Sequence, residues 1–502
     1  MCKTKKHLQS SKKFTGECMR KIIPEQLQMG EIPIEDIKFD LTCRDEIPQL
    51  LKGLQHIYCN TLLRQKVFLL LRKIIPKNVS ITNGRKGMNL WQIFVLGSLR
   101  LNCNWDYDKL QEIANNHIVL RQMLGHSMLD IEKRYSRQTL NDNLRLFTSN
   151  ILDEINQVIV NAGVKLVDGG KKKSKPTHTR CDSFVLETNV HFPTDLNLLW
   201  DALRKALTLS FRMAEIFNID GWRQTTHNIK AVKKLFRAAQ KERTRDKDGS
   251  TRVASNHATQ QYIDKAMVLL ERAANVANAI DSHLLYGPTG QEIKRFVEHG
   301  IRQIDQISRR CFKNEKILHH EKVFSVFEEH TEWISKGKAG VPQELGLRVC
   351  IVESSCGFIL HHKVMQNETD DAIAVPIIKE TLARYPYVKS CSFDKGFHSP
   401  QNQTDLSEIL QYTVLPRKGK LNEENRRFES TDKFTEKRRQ HSAVESAINA
   451  IENHGLDRCR DRGLNGFKRY VALAIVARNI QLIGAVLRNK ELALLNKDKQ
   501  VA

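Results

Sequence analysis

The sequence predicts an α/β protein: a partly parallel sheet covered by helices, preceded by an all-α region and interrupted after its first strand by a block of helices. Three observations carry this. Apolar residues recur at helical spacing before residue 165 and again across 193–315. They alternate with a period of two in short segments at 179–187, 345–353, 358–364, 388–394 and 412–416. With the helical block set aside, the order reads strand, hairpin, helix, strand, helix, strand, helix, the pattern of a hairpin edge feeding a helix-covered sheet.

Residues 1–45 are basic and polar (Lys3, Lys5, Lys6, Lys12, Lys13, Arg20, Lys21) and read as a loosely ordered arm. From Ile47 the apolar stripe Leu50, Leu51, Leu54, Ile57 begins, followed by Leu62, Leu63, Val67 and Leu70. Further helices are expected at 87–102, 106–115 and 138–162, the last with Leu140, Leu144, Phe147, Ile151 and Ile155. The stretch 105–124 has helix-turn-helix lengths, a pattern that any small helical bundle shares. Together 46–164 is expected to form a helical DNA-binding domain. The run GGKKKSKP at 169–176 reads as a flexible cationic linker.

In TRCDSFVLE (179–187), alternation puts Asp182, Phe184 and Leu186 on one face and Cys181, Ser183 and Val185 on the other. The helical insertion, 193–315, opens at Pro193-Thr194-Asp195 and carries Leu196, Leu199, Leu203, Leu207 and Phe211. Its second helix, 228–247, holds eight Lys or Arg against two acids. The hairpin pairs 345–353 with 358–364. A helix at 370–384, a strand at 388–394, a helix at 403–410 and a strand at 412–416 follow. A basic, loop-like stretch (417–439) leads to a helix at 441–454 that stops at Gly455, and an apolar helix spans 466–488. Residues 165–192 and 316–502 are thus expected to form the α/β domain.

The 502 residues carry 80 Lys and Arg against 57 Asp and Glu, a net charge of +23. With 40% hydrophobic residues there is ample material for several cores, which excludes disorder throughout. The eleven cysteines are scattered and contain no C-x-x-C pair, so a zinc ribbon and a disulfide scaffold are both disfavoured and a reducing cytoplasm is expected. The longest near-apolar runs, 93–97 and 470–477, fall short of the ~20 residues of a spanning helix, so no membrane partner is expected. The charged N-terminus runs into Gln9, Ser10 and Ser11 instead of an apolar stretch, unlike a secretory signal. The basic excess points to a polyanion, because Lys and Arg that displace counterions from phosphates give sequence-independent affinity.

Three acids stand where chemistry gathers. Asp182 interrupts an apolar strand, Asp394 ends a strand before Lys395-Gly396-Phe397, and Glu445 lies in the helix after the last strand. An aspartate inside a β run is unfavourable unless it is paired or binds a metal, and open α/β sheets collect functional groups at their carboxyl ends. Three carboxylates from two strands and a helix suit two Mg²⁺ ions ~4 Å apart, the arrangement that displaces phosphodiesters. Taken singly, an aspartate at a strand end is more simply a turn cap.

In order and spacing, these segments resemble the motifs of bacterial insertion-sequence transposases of the DDE class. RCDSFVLETN (180–189) with HFPTD (191–195) is similar to the first-aspartate motif. FSVFEEHTEWISKGKAGVPQELG (324–346) resembles the segment before the second strand. SFDKGFHS (392–399) resembles the second-aspartate motif, and HSAVESAINAIENHGL (441–456), with DRCRDRG (457–463) after it, resembles the glutamate helix. The likeness runs from about residue 86 to 484. It implies an RNase H-like mixed sheet, with Asp182, Asp394 and Glu445 as the catalytic, metal-binding triad for two Mg²⁺ ions, Mn²⁺ being able to substitute. It also implies partners: double-stranded DNA, both transposon ends and target, bound by a homodimer or larger assembly in a bacterial cytoplasm, at the nucleoid. Where related members carry Tyr, Arg and Lys around the glutamate, this chain has Arg438, His441 and Glu452. Glu452 is therefore a rival third ligand.

DNA contacts are expected from Lys230, Lys233, Lys234 and Arg237 in the insertion, and from Arg438, Arg439, His441 and Arg458 around the glutamate helix. Trp200 and Trp222 read as core residues before base wedges, and the pairs His319-His320 and His361-His362 as solvated or core histidines before ligands. Lys336-Gly337-Lys338 reads equally as a DNA-facing turn or a solvated loop. Two rivals to a transposase stay open: a nuclease of this fold that cuts without joining, and a catalytically silent DNA-binding derivative.

Overall fold

The structure is a computed structural model that describes residues 21–501 except 24–25, 41, 76–86, 131, 168–176, 243–255 and 336–342. The 169–176 linker, residues 1–20 of the basic arm, the end of the 228–247 segment and Lys336–Lys338 lie outside the described residues. The chain divides into two compact units, one of residues up to Glu187 together with Leu347 onward, the other Thr188–Gly346.

Among the described residues the first unit opens with a short 3-10 helix (Ile34–Asp36) and seven α-helices: α1 (Glu46–Cys59), α2 (Thr61–Arg72), α3 (Leu90–Asn102), α4 (Tyr107–Asn116), α5 (Ile118–Met123), α6 (Arg137–Leu144) and α7 (Ser149–Val167). Their starts are set by side-chain caps that satisfy free N–H groups. Asp45 accepts from the Ile47 N–H at 2.7 Å, Asn60 from Leu63 at 3.0 Å, and Asp106 from Lys109 at 2.7 Å. The stripe read from the sequence (Leu50, Leu51, Leu54, Ile57) is fully buried. The helix expected across 138–162 is two helices, because Leu146–Thr148 turns the chain between α6 and α7.

β1 (His178–Thr188) follows, and the chain passes through the second unit with α8 (Asp195–Ile216), α9 (Thr225–Lys241), α10 (His257–Ile280), α11 (Gly287–Phe312) and β2 (Glu332–Ser335). It returns along β3 (Gln343–Ser354) to β4 (Ile359–Val364), α12 (Asp370–Arg384), β5 (Ser390–Phe393), α13 (Pro400–Ile409) and β6 (Tyr412–Val414). Then come α14 (Glu423–Glu429), α15 (Asp432–His441), α16 (Ala443–Ile451), β7 (Arg458–Cys459) and α17 (Leu464–Val501). The sheet order is β2-β3-β1-β5-β6, with β4 also on β3 and β7 on β1. β5 runs parallel to β1 and β6 to β5, while β3 and β4 form an antiparallel hairpin. This is the mixed α/β arrangement expected, with a helical insertion after the first strand, and it is consistent with an RNase H-like transposase domain.

Both faces of the central sheet are covered, as a sheet with parallel strands requires. Phe184, Leu186 and Ile351 enter a core shared with α1, α3, α7 and α17, so the helices of 46–164 and the sheet bury one continuous surface. Cys181, Cys350 and Cys391 face a second core under α12 and α13, with Ile373, Ile377 and Leu406.

Three further expectations change. The 417–439 stretch is helical (α14, α15), with Phe434 its buried anchor. With so few apolar residues it has no stripe to read, and Asn422 caps α14 on the Asn425 N–H at 2.8 Å. The 441–454 helix breaks at Ser442 and widens at 452–456, where Gly455 takes φ +105°. The third concerns the C-terminal helix. Leu464–Asn496 is long and apolar enough to cross a membrane by composition, since Arg478, Asn479 and Gln481 interrupt the apolar run without lowering its mean much. In the structure 72% of its apolar window is buried within protein.

The second unit packs α8–α11 around Leu199, Leu203, Leu207, Tyr262 and Phe296. Thr194 caps α8 through the Asn197 N–H at 3.2 Å, where Pro193-Thr194-Asp195 promised a helix start.

Candidate active site

The register between β1 and β5 builds the site. His178 pairs with Ser390, Arg180 with Ser392, and Cys181 with Phe393. Residues opposite one another in a parallel pair project to the same face, with strands about 4.8 Å apart. Asp182 and Asp394 are the next residues on each strand, so their carboxylates emerge side by side. Asp394 follows the last residue of β5 in extended backbone, and its Oδ2 accepts from the Gly396 N–H at 3.3 Å. It is thus a turn cap as well as an exposed acid.

α16 brings the third carboxylate. Val444, Ile448 and Ile451 bury in the core that Phe184 enters, on the sheet face that carries Asp182. That leaves Glu445, in the first turn, exposed. The Asp182 carboxyl is pushed up to about 7, chiefly by burial and then by the negative charges of Asp394, Asp370 and Glu445. The Ser183 N–H, 2.8 Å from Asp182 Oδ1, opposes this only in part.

A fourth acid, Asp370, joins the site, and the sequence pattern does not single it out. It sits at the start of α12, where an acid is ordinarily a favourable charge at a helix N-terminus. Here its Oδ1 accepts from the Ser183 hydroxyl at 2.6 Å. Only long-range pairing of α12 with β1 and the Asp394 loop makes it a neighbour of the triad, and no local pattern carries that information.

Behind the carboxylates the same sheet face is polar. His178 Nδ1 lies 2.9 Å from the Ser390 hydroxyl, Arg180 forms a buried ion pair with Glu353 at 2.9 Å, and His441 Nδ1 lies 3.0 Å from the Ser392 hydroxyl. Burial pushes His441 down to about 4, so it is neutral at pH 7. Arg438 and Arg439 are exposed on α15, whereas Arg458 is held by Glu187 at 2.8 Å. Glu452 is half-buried in the wide turn, roughly 10 Å along the helix axis from Glu445.

In the second unit, Lys230, Lys233, Lys234 and Arg237 are exposed on the face of α9 opposite the buried Val232, Phe236 and Ala239. None of the four pairs with a carboxylate among the described residues. Trp222 is buried with the Arg272 guanidinium over its ring, and Trp200 stacks on Phe236 at 5.7 Å, both as core residues. His361 and His362 are buried, His361 beside Glu380 at 2.9 Å.

Among the described residues, no three acidic, histidine or cysteine side chains form a ready ligand cluster. The donor types of Asp182, Asp394 and Glu445 nonetheless fit a hard divalent cation, which takes carboxylate oxygens. The raised Asp182 carboxyl marks a concentration of negative charge there, from Asp394, Asp370 and Glu445.

Residues 277–480 match the family model of the transposase DDE domain. No curated protein and no solved structure matches the chain. The matched range begins after Asp182 and includes Asp394 and Glu445. Over that range the chain is similar to the DDE domain of transposases.

Proposed function

We propose that the chain binds the terminal inverted repeats of a bacterial insertion sequence, cleaves the DNA at each end, and transfers the freed 3′-OH ends into target DNA. The observation that carries the reading is the adjacency of Asp182, within β1, and Asp394, just past the end of the parallel β5, within the field of Glu445. These three residues would hold two divalent ions, Mg²⁺ first and Mn²⁺ as a substitute. When bound, such ions activate the attacking oxygen and stabilise the leaving one. The carboxylates hold and space the reacting phosphate's surroundings. Arg438 and Arg439, exposed on the helix leading to Glu445, are suited to the flanking phosphates, and the α9 cations are themselves suited to duplex DNA. His441 and Arg458 are engaged with Ser392 and Glu187, which favours positioning over direct DNA contact.

Glu445 is preferred to Glu452 as third ligand because its charge reaches Asp182. Pairing two DNA ends implies a dimer or larger assembly on DNA, in the cytoplasm of a bacterium. A supercoiled plasmid carrying the element's ends, incubated with the protein and Mg²⁺, tests the reading. Joined products support it, nicks without joining indicate a nuclease, and a gel shift without cleavage indicates a silent binder. Cleavage that survives Asp182→Asn or Asp394→Asn overturns the triad, and Glu445→Gln beside Glu452→Gln distinguishes the third ligand.

A further inference from the structure

The first unit contains a second concentration of positive charge, away from the carboxylates. A cleft of about 410 Å³ opens between α4, α6 and the loop after β7. It is lined by Arg100, Arg137, Arg145, Arg460 and Arg462 against only three acids, Asp106, Asp108 and Asp461.

The acids are already committed. Asp106 caps α4. Asp461, buried, holds Arg100 at 3.0 Å and Arg469 at 2.7 Å, and Asp108 lies 3.2 Å from Arg137. Arg100 is 3% exposed, its guanidinium lies 4.1 Å from the centre of the Tyr107 ring, and its Nε has no hydrogen-bond partner among the described residues. It is a fixed cationic wall. Arg145, Arg460 and Arg462 are exposed around it with no carboxylate partner among the described residues. Three like charges gathered in one cleft repel one another unless an anion joins them. The planar fork of arginine matches the paired oxygens of a phosphate.

We propose that this cleft binds the phosphodiester backbone of duplex DNA through Arg145, Arg460 and Arg462. The inference rests on the DNA-processing reading above. It extends that reading to a cleft in which Arg460 and Arg462, of the DRCRDRG run after the glutamate helix, meet Arg145 of α6. The position suits it: β7 runs beside β1, and the Glu187 N–H donates to the Asp457 carbonyl at 3.2 Å. Glu187 is five residues past Asp182 on β1, about 17 Å along an extended strand. Backbone held in the cleft would therefore lie in the same unit as the carboxylates.

The test uses the full-length chain carrying the triple substitution Arg145→Ala, Arg460→Ala and Arg462→Ala, and a second chain with all three changed to Lys. Binding of a short random-sequence DNA duplex is followed by fluorescence anisotropy over a salt series, beside thermal unfolding. The alanine triple is expected to bind at least about 10-fold more weakly at low salt, and to lose about two to three units of the log K against log salt slope. Its unfolding midpoint is expected to stay unchanged, because the three side chains are exposed. The lysine triple is expected to keep the salt slope.

A wild-type chain that binds duplex DNA, with the alanine triple binding equally and with the same slope, overturns this proposal alone. Loss confined to an RNA duplex or to inorganic phosphate, with DNA binding kept, overturns it in favour of that ligand. A wild-type chain that binds no duplex overturns this proposal together with the reading it rests on. A wild-type chain that binds through the cleft yet never cleaves overturns only the transposase chemistry.

Discussion

The hydroxyl of Ser392 lies 3.0 Å from Nδ1 of His441, joining the strand that ends in Asp394 to the helical segment that leads to Glu445. Ser392 is two residues before Asp394 and His441 four before Glu445, so this one contact helps to fix the spacing of two carboxylates. Ser392→Ala leaves the half-buried imidazole without that partner, at a cost of about 1–3 kcal/mol. The expected outcome is a lower unfolding midpoint and slower DNA cleavage with DNA affinity kept. His441→Arg is expected to cost more in stability, because it puts a permanent charge where burial favours the neutral form. Thermal unfolding beside a plasmid-cleavage assay checks both.

Asp182 gives the site a pH signature. Its carboxyl titrates at about 7 when folded, against 3.8 in the unfolded chain. A raised acid binds its proton more tightly in the folded state. The stability it contributes is complete below pH ~4 and is lost as pH rises through ~7. Asp182→Asn removes that loss, so the variant is expected to be more stable than wild type at pH 8, by about 1–3 kcal/mol, and to show no such gain at pH 4. Divalent cation should erase the difference at pH 8 by stabilising wild type alone. Equal midpoints at pH 8 without cation would count against the electrostatic account.

Much of this was legible before the fold was known, for identifiable reasons. Asp182 breaks an apolar alternation and Asp394 ends one, so the strand pattern itself exposes them. The helical stripe of α1 and the start of α12 follow from spacing alone. Asp370 was hidden, because an acid at a helix start looks like an ordinary favourable charge until Ser183 reaches it from a strand 187 residues away. α14 and α15 were hidden because Phe428 and Phe434 are too few to make a stripe. The arginine cleft draws on 100, 137–145 and 460–462, which only the packing of α3, α6 and the loop after β7 brings together.

The opposite pH behaviour is expected from two buried histidines. Burial pushes His126 down to about 4, beside the Tyr135 hydroxyl at 2.7 Å, and His178 to about 3, against an ordinary value of 6.5. A depressed histidine contributes stability that is complete above pH ~6.5 and lost as pH falls through its folded value, since the unfolded chain takes the proton first. Stability is therefore expected to decline from pH 6.5 toward 4, by about 1–3 kcal/mol for each group. His126→Gln should flatten that slope while lowering stability at pH 7. Denaturant midpoints measured every half unit of pH between 4 and 7.5 check it.

The core helix α17 meets α1 through two glycines. A Cβ on Gly484 would fall inside contact distance of the Gln49 carbonyl, and one on Gly53 would strike the Ile480 carbonyl. In each case the obstacle is backbone, which cannot rotate away as a side chain can. The two helices can approach this closely only while both positions lack a side chain. Gly484→Ala is thus expected to destabilise the chain by more than the ~1–3 kcal/mol typical of an overpacked core site, although alanine is intrinsically the better helix former by about 1 kcal/mol. Arg488→Ala, one helical turn on, tests whether the loss belongs to the contact or to α17 at large: a much smaller effect there locates it at the glycine. If Gly484→Ala raises the unfolding midpoint, helix propensity outweighs the clash and α1 and α17 cross less tightly than their glycines imply.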